Sequence, residues 1–313
     1  MVAPFDSIVV ELIDSTPLQE WERMMNVLEG PRKERRRVIF SGSEYWATPE
    51  ESGLMLDDGR VVDESSVQHL PPCSPTKIIC PHGNYKSRWY EFGGKGEPKE
   101  PTYFMKPISS LNCHNGQLIR PGGHMYLNYE GELAAVVGRI TRNVRLEEVW
   151  DHLAGFTVAN DAGLQDMRDT DAGSMLRVKG ADTLCPIGPG IVSGVDVRCS
   201  VLTTYRNGQI VQQANIGEDM WFGVDYLVAD IARHITLVPG DLVLTGTPAN
   251  SRAVDPGDVI EVEISNVGRL RNEVVEGQAP QFTCGHQPLD SEESRRIALG
   301  NDEGVAEKLH YNG

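Results

Sequence analysis

From residue 73 onward, short apolar runs alternate with turn-forming residues, the pattern of a strand-rich protein. Strands are predicted at 77–80, 103–106, 132–137, 156–159, 201–205, 209–212, 241–245 and 259–264. Asn207-Gly208 falls between two of them and predicts a tight hairpin, because both residues take positive φ at little cost. Helical periodicity is scarcer. A short helix opens at 146–150, another is read at 163–171, and 222–234 carries apolar residues at 224, 227, 228 and 231. Strands and helices do not alternate regularly, so a doubly wound parallel sheet is excluded and a strand-rich α+β catalytic domain over 73–279 is expected.

Residues 1–72 read as a smaller N-terminal α+β module. Thr16 and Pro17 suit a helix N-cap and first turn, and apolar residues at 18, 21, 24, 25 and 28 continue it until Gly30-Pro31. Arg32, Lys33, Arg35, Arg36 and Arg37 form a basic run, read as a solvated loop or else as a face that pairs with acidic groups. Residues 38–40 suit a short strand, and 54–62 a hairpin turning at Asp58-Gly59 in type I′ geometry. Pro71-Pro72-Cys73-Ser74-Pro75 marks the boundary. Residues 280–313 are polar and are expected to form a mobile or partner-binding tail.

Composition narrows the partners. In 313 residues, 45 acidic side chains outnumber 29 basic ones, for a formal charge of −16. A nucleic-acid binder needs surplus cations to displace counterions, so that class and a polybasic membrane anchor are both disfavoured. Hydrophobic residues at 40% and charged residues at 24% fit a folded globular chain. No apolar run approaches the roughly 18 residues of a membrane span, and residues 1–6 lack a signal-peptide pattern. The six cysteines are scattered with no C-x-x-C pair, so a cytoplasmic protein with reduced thiols is expected. Nucleophile elbow, zinc-binding helix, phosphate loop and dinucleotide fingerprint are all missing from the sequence.

Four segments carry candidate chemistry. Glu130-Gly131-Glu132 leads straight into the apolar run 133–137. Residues i and i+2 of a strand share a face, so these carboxylates repel unless one is protonated or a cation sits between them. A hard divalent ion such as Mg²⁺ answers that constraint; a solvated acidic face is the alternative. The run 156–159 ends near Asp161, followed by Gln165, Asp166 and Arg168. A strand-end aspartate alone is as readily an N-cap as a ligand. Arg177-Val178-Lys179-Gly180 and Thr245-Gly246-Thr247-Pro248 complete the set.

In this order and spacing the segments resemble the fumarylacetoacetate hydrolase family, over about residues 73–275. Pro75-Thr76-Lys77, Asn84-Tyr85, Phe104-Met105-Lys106-Pro107 and Asp255-Pro256-Gly257-Asp258 belong to the same resemblance. It implies a mixed β-roll, a homodimer, and Mg²⁺ or Mn²⁺ bound by Glu130, Glu132 and Asp161. It also implies a small anionic substrate, a 2-oxo acid or 1,3-dicarbonyl compound. Such a substrate chelates the metal through its keto and carboxylate oxygens, which lowers the cost of an enolate. Lys179 is then a catalytic candidate, and Tyr85, Lys106, Gln165, Arg168 and Thr247 are substrate-binding candidates.

Two departures bear on the chemistry. Many members place a histidine where this chain has Arg88, three residues before Glu91. A guanidinium stays protonated and is no ordinary base, so Arg88 is read as a clamp for a second substrate carboxylate. Glu91 and the upstream His82 remain as candidate bases, with a structural role for His82 as the alternative. Gln165 and Arg168 also stand exchanged relative to the usual order after the aspartate. Hydrolysis of a C–C bond in an acylpyruvate-like ring-cleavage product is expected first. Decarboxylation or isomerisation of a 2-oxo dioic acid in aromatic catabolism is the alternative, and a non-enzymatic paralogue comes last.

Overall fold

The computed structural model describes residues 27, 28, 30–171 and 173–300; apart from Val27 and Leu28, the helix expected over 16–29 lies outside them. The chain opens with β1 (Lys33–Phe40), β2 (Ser43–Glu50), β3 (Gly53–Leu56), β4 (Val61–Val62) and β5 (Gln68–His69). Next come β6 (Ile78–Pro81), helix α1 (Lys86–Glu91), β7 (Tyr103–Lys106), β8 (Leu111–Cys113), β9 (Gln117–Arg120) and β10 (Leu127–Asn128). The central strands are β11 (Gly131–Val137), β12 (Leu153–Asn160) and β14 (Cys185–Ser193), with short β13 (Gly163–Leu164) and α2 (Leu176–Lys179) before the last of these. β15 (Val201–Arg206), β16 (Gln209–Asn215), α3 (Ile216–Asp219), α4 (Val224–Ala232), β17 (Leu242–Leu244), β18 (Ala253–Val254), β19 (Val259–Ile264), β20 (Gly268–Glu276) and α5 (Glu292–Leu299) follow.

The result is the strand-rich α+β architecture that the apolar pattern predicts. One mixed sheet runs β4-β3-β2-β1-β14-β12-β11-β17-β6-β7, and a second runs β16-β15-β19-β20-β9. The second packs across β11, β12 and β14. All residues of β11, β12 and β14 are therefore buried, which explains their unbroken apolar runs. β1 pairs antiparallel with β14, so the segment before residue 73 adds its strands to the same sheet. A small cluster of Val38, Ala47, Leu54 and Leu56 gives those strands a core of their own.

Several local expectations meet a different outcome. The basic run from Lys33 on is not a loop but lies in β1, and its alternative reading as a face that pairs with acidic groups holds: Arg35 pairs with Asp57, Arg36 with Glu34 and Glu64, and Arg37 with Glu44. Strand pairing with β2 and β14 outweighs the charge density because acids on neighbouring segments neutralise it. Turn β3–β4 is also different. Gly59 has φ 87° while Asp58 stays outside the positive-φ region, and the Leu56 carbonyl accepts from Gly59 N–H at 2.8 Å. That is a three-residue turn with a glycine bulge rather than type I′. Asn207 and Gly208, at φ 52° and 78°, do form the tight β15–β16 hairpin. The polar C-terminal segment carries α5, capped by the Ser291 side chain and docked through buried Ser294, Ile297 and Ala298. Its spacing of small and apolar residues on one face suffices to dock it despite the overall polarity.

Asp241 fixes the edge on which the site is built. It is fully buried and accepts from the N–H groups of Thr76, Lys77 and Val238 and from the Thr76 hydroxyl, at 2.7–2.9 Å. Lys77 Nζ adds an ion pair at 2.8 Å. This ties the turn before β17 to the start of its parallel neighbour β6. Asp241→Ala leaves those donors unsatisfied and is expected to cost about 3–5 kcal/mol in a denaturant titration. A loss below about 1 kcal/mol refutes the staple.

Candidate active site

The antiparallel register of β11 and β12 sets Gly131 against Asn160, which brings the preceding Glu130 beside Asp161. Asp161 N–H donates to the Glu130 carbonyl at 2.8 Å, and Glu130 N–H to Asn160 Oδ1 at 2.8 Å. Glu132, two residues on, shares the side of Glu130. A Cβ on Gly131 would lie 2.2 Å from Thr204 Oγ1 of the second sheet, so close packing forbids a side chain between the two glutamates. Ligand oxygens of Glu130, Glu132 and Asp161 all lie within 4.8 Å of one another. The three residues are 8%, 2% and 1% exposed.

Three cations answer this acidity. Lys106 Nζ, at the end of β7, donates to Asp161 Oδ1 at 2.6 Å. Lys179 Nζ, at the end of α2, donates to Glu130 Oε2 at 2.6 Å and lies 3.0 Å from Asp161 Oδ2. Arg88 Nη2 on α1 donates to Glu130 Oε1 at 3.0 Å. Burial opposes the ammonium of Lys179, yet Asp161 and Glu130 overcome it and raise its pKa. Burial likewise opposes ionisation of Asp161, but Lys106 and Lys179 overcome it and hold its pKa below the usual aspartate value. Glu132 has no such lysine contact; it accepts from Gly246 N–H at 2.7 Å. Burial, then Asp161 and Glu130, push its pKa well above the ordinary glutamate value. Three buried carboxylates with hard oxygen donors and an incomplete counter-charge fit a divalent cation of the Mg²⁺ type.

The carboxylates open into a cavity whose other walls include His82, Arg88, Phe92, Phe104, Arg168, Lys179 and Thr247. His82 stands 4.8 Å from Phe104 between ring centres; burial, then Lys179 and Arg168, lower its pKa. Thr247 Oγ1 accepts from Gln212 Nε2 at 3.0 Å, which fixes its hydroxyl at the rim. Gly246, at φ 88°, approaches Asn84 too closely for most side chains, and Asn84 Nδ2 holds the loop by donating to the Thr245 carbonyl.

Other predicted residues lie away from that cavity. Tyr85 is buried in the apolar core beside Leu133 and Phe156, because it ends the segment entering α1 with its ring turned inward. Lys106 touches Asp161 from behind rather than lining the cavity. Gln165 is buried beneath Arg168 and accepts from Arg168 Nη1 at 3.2 Å. Glu91 faces a neighbouring cleft, held by Arg88 Nη1 at 2.6 Å and Arg252 Nη1 at 2.8 Å. Burial works against its charge, but both guanidiniums overcome it and lower its pKa. Phe92 and Arg252 were not foreseen; neither bears a signal in one sequence, since each acts only through long-range packing.

Residues 77–275 match the family model described as fumarylacetoacetate (FAA) hydrolase, C-terminal. The chain belongs to the fumarylacetoacetate hydrolase family, and its relatives are enzymes. It is 34% identical over 252 residues to the 4-hydroxyphenylacetate degradation bifunctional isomerase/decarboxylase of Escherichia coli, covering 77% of this chain and 55% of that protein. It is 33% identical over 232 residues to a mitochondrial oxaloacetate tautomerase of Xenopus laevis, covering 69% of this chain and 70% of that one. The solved 5-carboxymethyl-2-hydroxymuconate delta-isomerase of Mycobacterium smegmatis superposes with a TM-score of 0.70 at 28% identity, over 78% of this chain and 99% of that one.

The raised pKa of Glu132 has a sign. Above the ordinary value of 4.5 the folded chain binds more protons than the unfolded one, so stability falls as pH rises. In chelator, melting temperature is expected to decline as pH rises above about 4.5, and Glu132→Gln to flatten that decline. An identical pH slope in the variant contradicts this electrostatic account.

Proposed function

We propose that the protein is a metal-dependent tautomerase or decarboxylase of a 2-oxo dioic acid, working through an enolate. The observation that carries this reading is the Arg88–Glu91 pair. Hydrolysis needs a base held against a water molecule. Here the position expected to supply one is a buried guanidinium, and Glu91 is clamped between Arg88 and Arg252 outside the cavity. Tautomerisation and decarboxylation need no activated water. The names of the Escherichia coli and Xenopus laevis relatives support the same side.

Glu130, Glu132 and Asp161 would hold Mg²⁺ or Mn²⁺, which when bound supplies Lewis-acid stabilisation of negative charge on the keto oxygen. Lys179, kept protonated, places a positive charge beside the same oxygen. Thr247 Oγ and Arg168 face the cavity where substrate carboxylates would bind. His82, kept neutral at pH 7 by its lowered pKa, accepts the proton from the carbon next to the carbonyl and returns it to the enolate. In the decarboxylation variant, carbon dioxide leaves with that bond's electrons remaining as the enolate, which is then protonated at carbon.

Purified protein incubated with oxaloacetate and acetylpyruvate, with Mg²⁺ or with chelator, tests this. Metal-dependent enol–keto interconversion or release of carbon dioxide is expected. Faster cleavage of acetylpyruvate to acetate and pyruvate would overturn the reading in favour of hydrolysis. His82→Asn is expected to lower kcat by about 10²–10⁴. It should also remove the acid limb of the pH profile, which in the wild type falls below 6.5 as the imidazole protonates. An unchanged acid limb excludes His82 as the base.

A further inference from the structure

The C-terminal helix lines a cleft that adjoins the catalytic cavity. It lies beyond the family match, which ends at residue 275. It docks on the turn that carries Arg168: Leu289 N–H donates to the Asp166 carbonyl at 2.8 Å, while Asp290 accepts from Tyr126 and Arg295. Docked there, α5 brings Arg296 to Phe92. The guanidinium carbons of Arg88, Arg168 and Arg296 lie 4.2, 5.5 and 5.9 Å from the centre of that ring. Phe92 and Arg88 line the catalytic cavity and also the adjoining cleft that Arg296 lines, so they form the wall common to both.

The charges of the three cations are unequally met. Arg88 is held by Glu91 and Glu130, and Arg296 by Glu293 at 2.9 Å. Among the described residues no carboxylate lies within ion-pair distance of Arg168, whose hydrogen bond goes to the neutral Gln165 amide. Burial opposes its charge, and although Glu130 favours it from farther off, Arg88 and Arg296 add repulsion; the pKa falls below the usual arginine value. A half-buried cation facing a cavity beside like charges is relieved by an anion. The Arg296–Glu293 pair is largely solvent-exposed and therefore weak enough to yield to one.

We propose that Arg168 and Arg296, gathered on Phe92, form a subsite for the second carboxylate of a 2-oxo dioic acid, and that the C-terminal helix is thus a specificity element of this chain. The inference rests on the reading that the 2-oxo acid end lies at Glu130, Glu132 and Asp161. Arg296 is a binding residue here, not a catalytic one. The face of Phe92 supplies an apolar surface for the carbon chain between the two ends.

Calorimetric titration of the full chain in Mg²⁺ buffer tests the subsite, every protein carrying His82→Asn to suppress turnover, so that wild type here means both arginines intact. Each 2-oxo dioic acid of four to six carbons is compared with the 2-oxo monoacid of equal length. The wild type is expected to prefer a dioic acid by about tenfold, the worth of one charge-assisted contact. Arg296→Gln and Arg168→Gln should each cut that ratio to about threefold or less, and Arg296→Lys should restore part of it. Arg296 is partly exposed, so these variants are expected to fold, which an unchanged melting temperature checks. Equal metal-dependent binding of both acids by the wild type overturns the subsite while the 2-oxo acid reading stands. An unchanged ratio in Arg296→Gln with a lost ratio in Arg168→Gln removes the helix from the site. Binding of neither acid overturns the underlying reading and the subsite with it.

Discussion

Three carboxylates held together at the junction of β11 and β12 are the constraint on which the rest depends. Like charges this close, at no more than 8% exposure, repel in a medium that screens them poorly. The fold answers by bringing a cation from each of three different elements. Lys106 comes from β7, Lys179 from α2 and Arg88 from α1. Lys179 bridges Glu130 and Asp161, while Arg88 and Lys106 each add a second partner to one of them. The sheet order then acquires a reason. β6 and β7 must lie beyond β17 for Lys106 to arrive behind Asp161, and Asp241 secures that edge by binding the start of β6.

Much of this is legible in the chain. The pair Glu130 and Glu132, with glycine between, states both the shared face and the close approach of a second sheet. Buried strands read as apolar runs because both their faces are covered, and Asn207-Gly208 reads as a turn because its φ values are locally determined. What is not legible depends on distant partners. The basic run of β1 looks like a loop because the acids that neutralise it lie on other segments. Tyr85 sits in a family-like segment yet turns into the core, since a strand entering a helix turns by packing, not by composition. Glu91 keeps its residue type but loses its access, through an arginine at 252 that no local pattern connects to it.

Arg88 shows how a single side chain can serve two carboxylates of a site at once. A neutral imidazole at that place could hold or deprotonate water. A guanidinium can hold water but not deprotonate it, and here its fork reaches Glu91 with one nitrogen and Glu130 with another. The same residue thus stands where a base is expected and contributes to the counter-charge of the carboxylates. His82, whose pKa is lowered, stands on the cavity wall beside it.

The global charge of −16 describes the surface and misdescribes the site. Around Phe92 the balance inverts, because Arg168 faces the cavity with only an amide oxygen as hydrogen-bond partner. An isolated cation of this kind costs stability unless something else benefits from it. The turn that bears it is held by Asp166, which accepts from Met125 N–H and His124, and by the Leu289 contact of the C-terminal segment, while its own guanidinium bonds Gln165 and lies over Phe92. A cation kept at a cavity wall against its own solvation is best accounted for by what enters the cavity. The net acidity then works with the site: it repels anions from the rest of the surface, so that a small dianion finds its complement only where the arginines converge.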